Sequence, residues 1–186
     1  MDGLLGSLCL AQILYFLFIG APDKTLLLVL AAALVIFLSF NLKIQSRPAR
    51  VFLGDSGSTV LGLIIAWCLI RYSQGETSLF SPVSALWILA LPLLDAVCVL
   101  FGRPIRGLSA FQADRNHYHH RILEYCGGSV NLALLVILLV SAVGLAVAYI
   151  VSVGIVSEPV GFGSFLIVFI FWFIGFMNSK LSIPKA

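Results

Sequence analysis

Two short stretches gather most of the side chains able to do chemistry. The first is Val51-Phe52-Leu53-Gly54-Asp55-Ser56-Gly57-Ser58-Thr59, an Asp between two glycines with hydroxyls following. Glycines let a ligand approach the backbone, and exposed N–H groups at a helix start favour a phosphate. A carboxylate there can hold Mg²⁺ that bridges phosphate oxygens. Asp and Ser also cap helices, so capping and ligand binding both stay open for this segment. The second stretch is Asp114-Arg115-Asn116-His117-Tyr118-His119-His120-Arg121, with all three histidines of the chain inside four positions. On a helix His117, His120 and Arg121 share a face and His119 lies off it. Imidazoles bind metal, move protons or, when charged, contact phosphate. Zinc with Cys126 as a fourth ligand is one option, but His-x-His-His with one distant Cys is not a usual structural zinc spacing. The nearby arginines suit anions better. A basic loop meeting anionic lipid head groups explains those arginines, though not the gathering of histidines. Two lone acids complete the set. Asp2 precedes Gly3 and by itself reads as a helix cap. Asp95 lies within an apolar run, where a carboxylate is costly and a bond to a neighbouring helix is the simpler reading.

The elements that carry these residues are set by composition. The chain has 186 residues, 61% hydrophobic and 10% charged. A soluble domain is about 45–50% apolar and about 25% charged, so too few charges remain to cover a water-facing surface. An ordinary soluble domain, a disordered chain and a disulfide-rich secreted module are all excluded. The formal charge of +3 is too small, and the chain too apolar, for a nucleic-acid binder. Cys9, Cys68, Cys98 and Cys126 show no CxxC spacing. No signal peptide is expected, since Asp2 stands where a basic region should be.

At about 20 residues per span, the composition predicts an all-α, polytopic integral membrane helix bundle of about six transmembrane helices. It forms a single membrane domain over 1–186. The apolar segments run from about Leu4 to Gly20, Thr25 to Leu42, Thr59 to Tyr72, Val83 to Phe101, Leu132 to Val153 and Val160 to Met177. The third is short, so its helix is expected to begin within the preceding Gly-rich stretch. Loops of about 43–58 and 102–130 join the second span to the third and the fourth to the fifth. Nine of the eleven cations lie in these two loops and after the last span, leaving Lys24 and Arg71. The positive-inside rule makes that side cytoplasmic. The polar clusters lie on the same side.

Taken together these residues resemble the polyprenyl-phosphate N-acetylhexosamine-1-phosphate transferases, the membrane family that includes phospho-MurNAc-pentapeptide transferase of peptidoglycan synthesis. Asp2-Gly3-Leu4-Leu5-Gly6 is similar to the second half of that family's Asn-x-x-Asp-Gly-x-Asp-Gly-Leu motif. Val51–Ser58 is similar to its Phe-Met-Gly-Asp-x-Gly-Ser motif, and Asp114–His120 to its His-x-His-His loop. Ser81–Trp87 and the loop from Arg103 to Phe111 resemble the branch that uses GlcNAc. The resemblance implies transfer of GlcNAc-1-phosphate from UDP-GlcNAc to undecaprenyl phosphate, with release of UMP. That step starts lipid-linked glycan synthesis of the O-antigen or enterobacterial common antigen type. It implies a multi-pass protein of the bacterial inner membrane, in contact with the lipid bilayer, with its active-site face cytoplasmic. The sugar donor would be a UDP-N-acetylhexosamine, the cofactor Mg²⁺ or Mn²⁺. No nucleic acid is involved, and a homodimer stays open. By the same resemblance Asp55 is the metal ligand, and Asp2, Asp55, His117, His119 and His120 are the catalytic positions. Arg103, Arg106 and Arg115 would hold phosphates or the sugar, while Asn41 and Phe52 would contact the uridine.

The family has about ten or eleven spans against about six here. The chain therefore resembles the C-terminal portion, without the family's Asp-Asp motif. An inactive half-enzyme is the second expectation. A small transporter or channel is the third. It would place ionisable residues at mid-membrane depth, which only Asp95 approaches.

Overall fold

The structure, a computed structural model, describes residues 3–42, 50–76, 78–105, 107, 109 and 117–178. Among them every regular element is helical: α1 (Leu4–Phe18), α2 (Lys24–Asn41), α3 (Gly54–Ser73), α4 (Pro82–Ile88), α5 (Ala90–Ile105), α6 (Tyr118–Tyr125), α7 (Val130–Ser152) and α8 (Glu158–Met177). Four of these, α2, α3, α7 and α8, are long and apolar enough to cross a membrane, and there are five if the bent pair of α4 and α5 is counted as one span. The first expected span is the shorter α1, of 15 residues. As expected, α3 begins inside the Gly-rich stretch, at Gly54. Large apolar side chains such as Ile36, Leu63, Leu139 and Phe171 point outward, each more than half exposed. Such a surface suits lipid rather than water.

The fourth expected span is not one continuous helix: α4 and α5 meet at 82°. The cause is Pro92. It has no N–H to give the Ile88 carbonyl one turn back, and its ring crowds that carbonyl. An orphan carbonyl inside a membrane bundle needs a donor. Gln12 of α1 supplies it: its Nε2 donates to the Ile88 carbonyl at 3.2 Å, and Gln12 is itself buried. The break is thus held by a specific partner.

Packing follows from this bend. α1 lies against α2 and α7, while the short α4 lies against α7 and α8. The Trp87 indole of α4 donates to the Gly161 carbonyl of α8 at 3.0 Å. Beside it, a Cβ added at Gly144 of α7 would stand 2.8 Å from the Trp87 carbonyl oxygen. Small residues at such crossings let membrane helices approach closely. Gly144→Ala is therefore expected to lower stability by about 1–3 kcal/mol. Thermal unfolding in detergent checks this, and an unchanged midpoint would contradict the close approach.

The aromatic centre of the bundle is Phe16, whose ring stacks on Phe80 at 6.3 Å and meets Tyr72 edge-on at 5.4 Å. Tyr72 leads to the end of the bundle away from the polar clusters. There Asp23 Oδ2 accepts from Arg71 Nε at 2.9 Å and from the Tyr72 hydroxyl at 3.0 Å. One of the two cations left off the basic side is thereby neutralised locally.

Candidate functional site

Three chain segments converge where α1 begins, α2 ends and α3 begins. The cap of α1 is Gly3, one residue beyond the position read as a cap in the sequence. Its N–H donates to Asn41 Oδ1 at 2.6 Å, while Asn41 Nδ2 donates to the Val51 carbonyl at 2.6 Å. Asn41 is only 6% exposed. Both ends of its amide bond backbone, so Asn41 ties α1 to the approach to α3. Phe52, just beyond, is 72% exposed and open to a ligand.

Asp55 sits in the first turn of α3. Gly54 before it adopts φ 67°, the left-handed conformation that a side chain disfavours, and turns the chain into the helix. The cap position falls on Leu53, and no side chain caps this helix. Asp55 is therefore not the cap. Ser58 Oγ and Thr59 Oγ1 donate to its backbone carbonyl at 2.9 and 2.8 Å. Among the described residues its carboxylate engages no partner. What results is an exposed acid beside the unpaired N–H groups of a helix start, where its charge is favoured.

The histidines occupy the start of α6. His117 is the cap residue, with extended backbone, so helical spacing does not govern it. The expected division into a shared face and an outlying His119 is corrected accordingly. The three rings form one stack with His119 in the middle: 5.6 Å to His117 at 19°, and 4.2 Å to His120 at 38°. Burial first, then His120, pushes the His119 imidazole down from its ordinary 6.5 to about 4, against a smaller pull from Asp95. At neutral pH it is an uncharged donor–acceptor. Its folded value lies below its unfolded one, so the unfolded chain binds the extra proton. Stability is thus full above about pH 6.5 and declines as pH falls towards about 4. Titration of ¹⁵N-histidine resonances should place the His119 midpoint near 4; an ordinary midpoint of about 6.5 would contradict its burial.

Asp95 of α5 reaches the same point. Its Oδ2 lies 2.8 Å from His117 Nδ1, and its Oδ1 accepts the Tyr118 N–H at 2.9 Å. The lone intramembrane acid is bonded to a neighbouring helix, as the sequence suggested, but the identity of that helix was not legible.

Arg103, near the end of α5, is buried at 6% exposure and has interactions of its own. Asp2, Arg106 and Arg115 lie outside the described residues. The clusters belong to one end of the bundle: a Cβ at Gly3 would touch Leu42 and Leu134, and one at Gly102 would touch Phe176. These contacts join the starts of α1 and α7 to the end of α2, and the end of α5 to the end of α8. Among the described residues no three His, Cys, Asp or Glu side chains are grouped to hold a metal ion. Cys126 follows the far end of α6 from His117, which removes the zinc option for the described residues. Sequence reasoning missed Gln12 and Pro92. Pro92 was a visible signal of a break, while Gln12 carried none.

Residues 1–73 match glycosyl transferase family 4. Over all of its length the chain is 34% identical to the undecaprenyl-phosphate alpha-N-acetylglucosaminyl 1-phosphate transferase of Escherichia coli O157:H7, covering 50% of that protein. It is 36% identical to the protein of the same name from Escherichia coli strain K12, over 85% of this chain and 42% of the relative. The corresponding Haemophilus influenzae protein is 38% identical over 75% of this chain and 39% of its own length. The chain thus spans about half the length of the curated relatives it matches. No solved structure matches it. The family match over residues 1–73 and the likeness of the whole chain to a relative agree with a helical membrane bundle whose polar clusters share one end: the chain is similar to glycosyl transferase family 4.

Proposed function

We propose that this chain forms part of an enzyme that transfers GlcNAc-1-phosphate from UDP-GlcNAc to undecaprenyl phosphate on the cytoplasmic face of a bacterial inner membrane. The observation that carries the reading is Asp55, a carboxylate with no partner among the described residues, at the end of the bundle that also holds the imidazole stack. The names of the relatives support the same reaction.

A phosphate oxygen of the lipid attacks the phosphorus that bears the sugar. The bond from that phosphorus to the bridging oxygen breaks, and UMP leaves with the electron pair. Several anions must approach one another, so catalysis rests on positioning and charge neutralisation. Asp55 would hold Mg²⁺, with Mn²⁺ as its substitute. A single carboxylate suits this ion, which is commonly held by one or two carboxylates together with substrate phosphates. When bound, the ion would supply positive charge to the diphosphate. Arg103, Arg106 and Arg115 would hold phosphate oxygens, and neutral His119 would take part through hydrogen bonds. Phe52 would lie against the uracil. The apolar outer faces of the bundle suit a polyprenyl chain.

Titration of UDP-GlcNAc into the protein in lipid nanodiscs tests the reading. Saturable binding that requires Mg²⁺ is expected. No binding with the ion present would count against it.

A further inference from the structure

We infer that Asp95 is a positioning residue: from the broken span it fixes the ring of His117 and the start of α6 for the reaction proposed above, on which the inference rests. Asp95 is buried, at 9% exposure, and two donors on two consecutive residues converge on its carboxylate. An ionised carboxylate only accepts hydrogen bonds. With Oδ1 taken by the Tyr118 N–H, Oδ2 faces His117 Nδ1, which must carry a proton. A neutral His117 then keeps its lone pair on Nε2, the nitrogen turned away from the acid. The bond therefore selects which ring nitrogen can accept a proton or a substrate hydrogen bond.

The same acid serves the backbone. The first N–H groups of a helix have no partner within it. The side chain of His117, the cap residue of α6, does not fill this role. Asp95 takes the Tyr118 N–H from another helix and sets a negative charge against the positive end of α6. Tyr118 is anchored further by its ring, which meets Trp172 of α8 edge-on at 5.7 Å. Asp95 is delivered to this point by the Pro92 break, itself secured by Gln12. A carboxylate inside a membrane protein is costly unless its lone pairs are engaged, and here each oxygen has a donor.

The ring state of His117 tests this directly. A variant carrying His119→Gln and His120→Gln leaves His117 as the sole imidazole, and ¹⁵N-histidine spectra in nanodiscs, followed upward in pH until the ring stops titrating, report its neutral form. The proton is expected on Nδ1, and Asp95→Asn should move it, wholly or in part, to Nε2. A neutral His117 protonated on Nε2 without the Asp95 change overturns the inference, as does a tautomer that Asp95→Asn leaves unaltered. If Asp95→Asn fails to insert, the ring state with Asp95 in place decides alone. In the transfer assay Asp95→Asn should lower kcat about 10- to 100-fold, the usual cost of losing a group that orients a functional histidine in metal sites. KM for the sugar nucleotide should hold. Unchanged kcat in a variant whose tautomer has shifted also overturns the positioning role. Absence of transfer with the natural residues in place would strike the proposed reaction and leave the ring-state test standing.

Discussion

Asp55→Asn is expected to abolish the proposed GlcNAc-1-phosphate transfer while leaving the helix it sits on intact. Asn has the size of Asp but no charge, so it removes the hard anionic ligand that Mg²⁺ prefers. Electrostatic groups of this kind contribute several kcal/mol to a transition state. Each 1.36 kcal/mol is tenfold in rate, so the loss should be roughly 10³-fold or more. The structure gives little reason for collateral damage. The carboxylate has no partner among the described residues to lose, and Ser58 and Thr59 bond the backbone carbonyl, which Asn retains. Label from β-³²P UDP-GlcNAc entering the lipid phase is the measurement. Near-normal incorporation by the variant would sink the assignment of Asp55 as the metal ligand.

His117→Ala has the next largest effect. Turnover should fall about 10²-fold, the order of cost when a group that positions the substrate is lost. Expression and membrane insertion should persist, because Asp95 keeps the Tyr118 N–H after the ring is gone. The cost of losing one of its two donors is about 1–3 kcal/mol. That is enough to lower a thermal midpoint but not to prevent insertion of a bundle built on α1, α2, α3 and α7. Turnover per inserted molecule is the quantity to compare. Loss of insertion would assign His117 a structural role instead.

The sequence revealed the apolar segments well, because span length and hydropathy are local properties. Each of the six corresponds to a helix or, for Val83–Phe101, to the bent pair of α4 and α5. The bend is a backbone event that hydropathy does not record, although Pro92 was in plain view. Asp55 could not be told from a cap by residue type, since that choice depends on where the helix starts, and it starts one residue earlier. The histidine face was misdrawn for a related reason: His117 lies at the boundary, with extended backbone, so helical spacing does not apply to it. Tertiary pairs were the least legible. Nothing in the sequence ties Asp95 to His117 across 22 positions, or Asn41 to Gly3 across 38.

The central claim is that the chain carries the phosphate-handling end of a sugar-1-phosphate transferase. Its most direct test is UMP release by a chimera in which the chain replaces the segment it matches in the Escherichia coli O157:H7 relative. UMP should appear only with UDP-GlcNAc, undecaprenyl phosphate and Mg²⁺ all present, and Asp55→Asn should stop it. An inserted chimera that releases no UMP under these conditions would contradict the account.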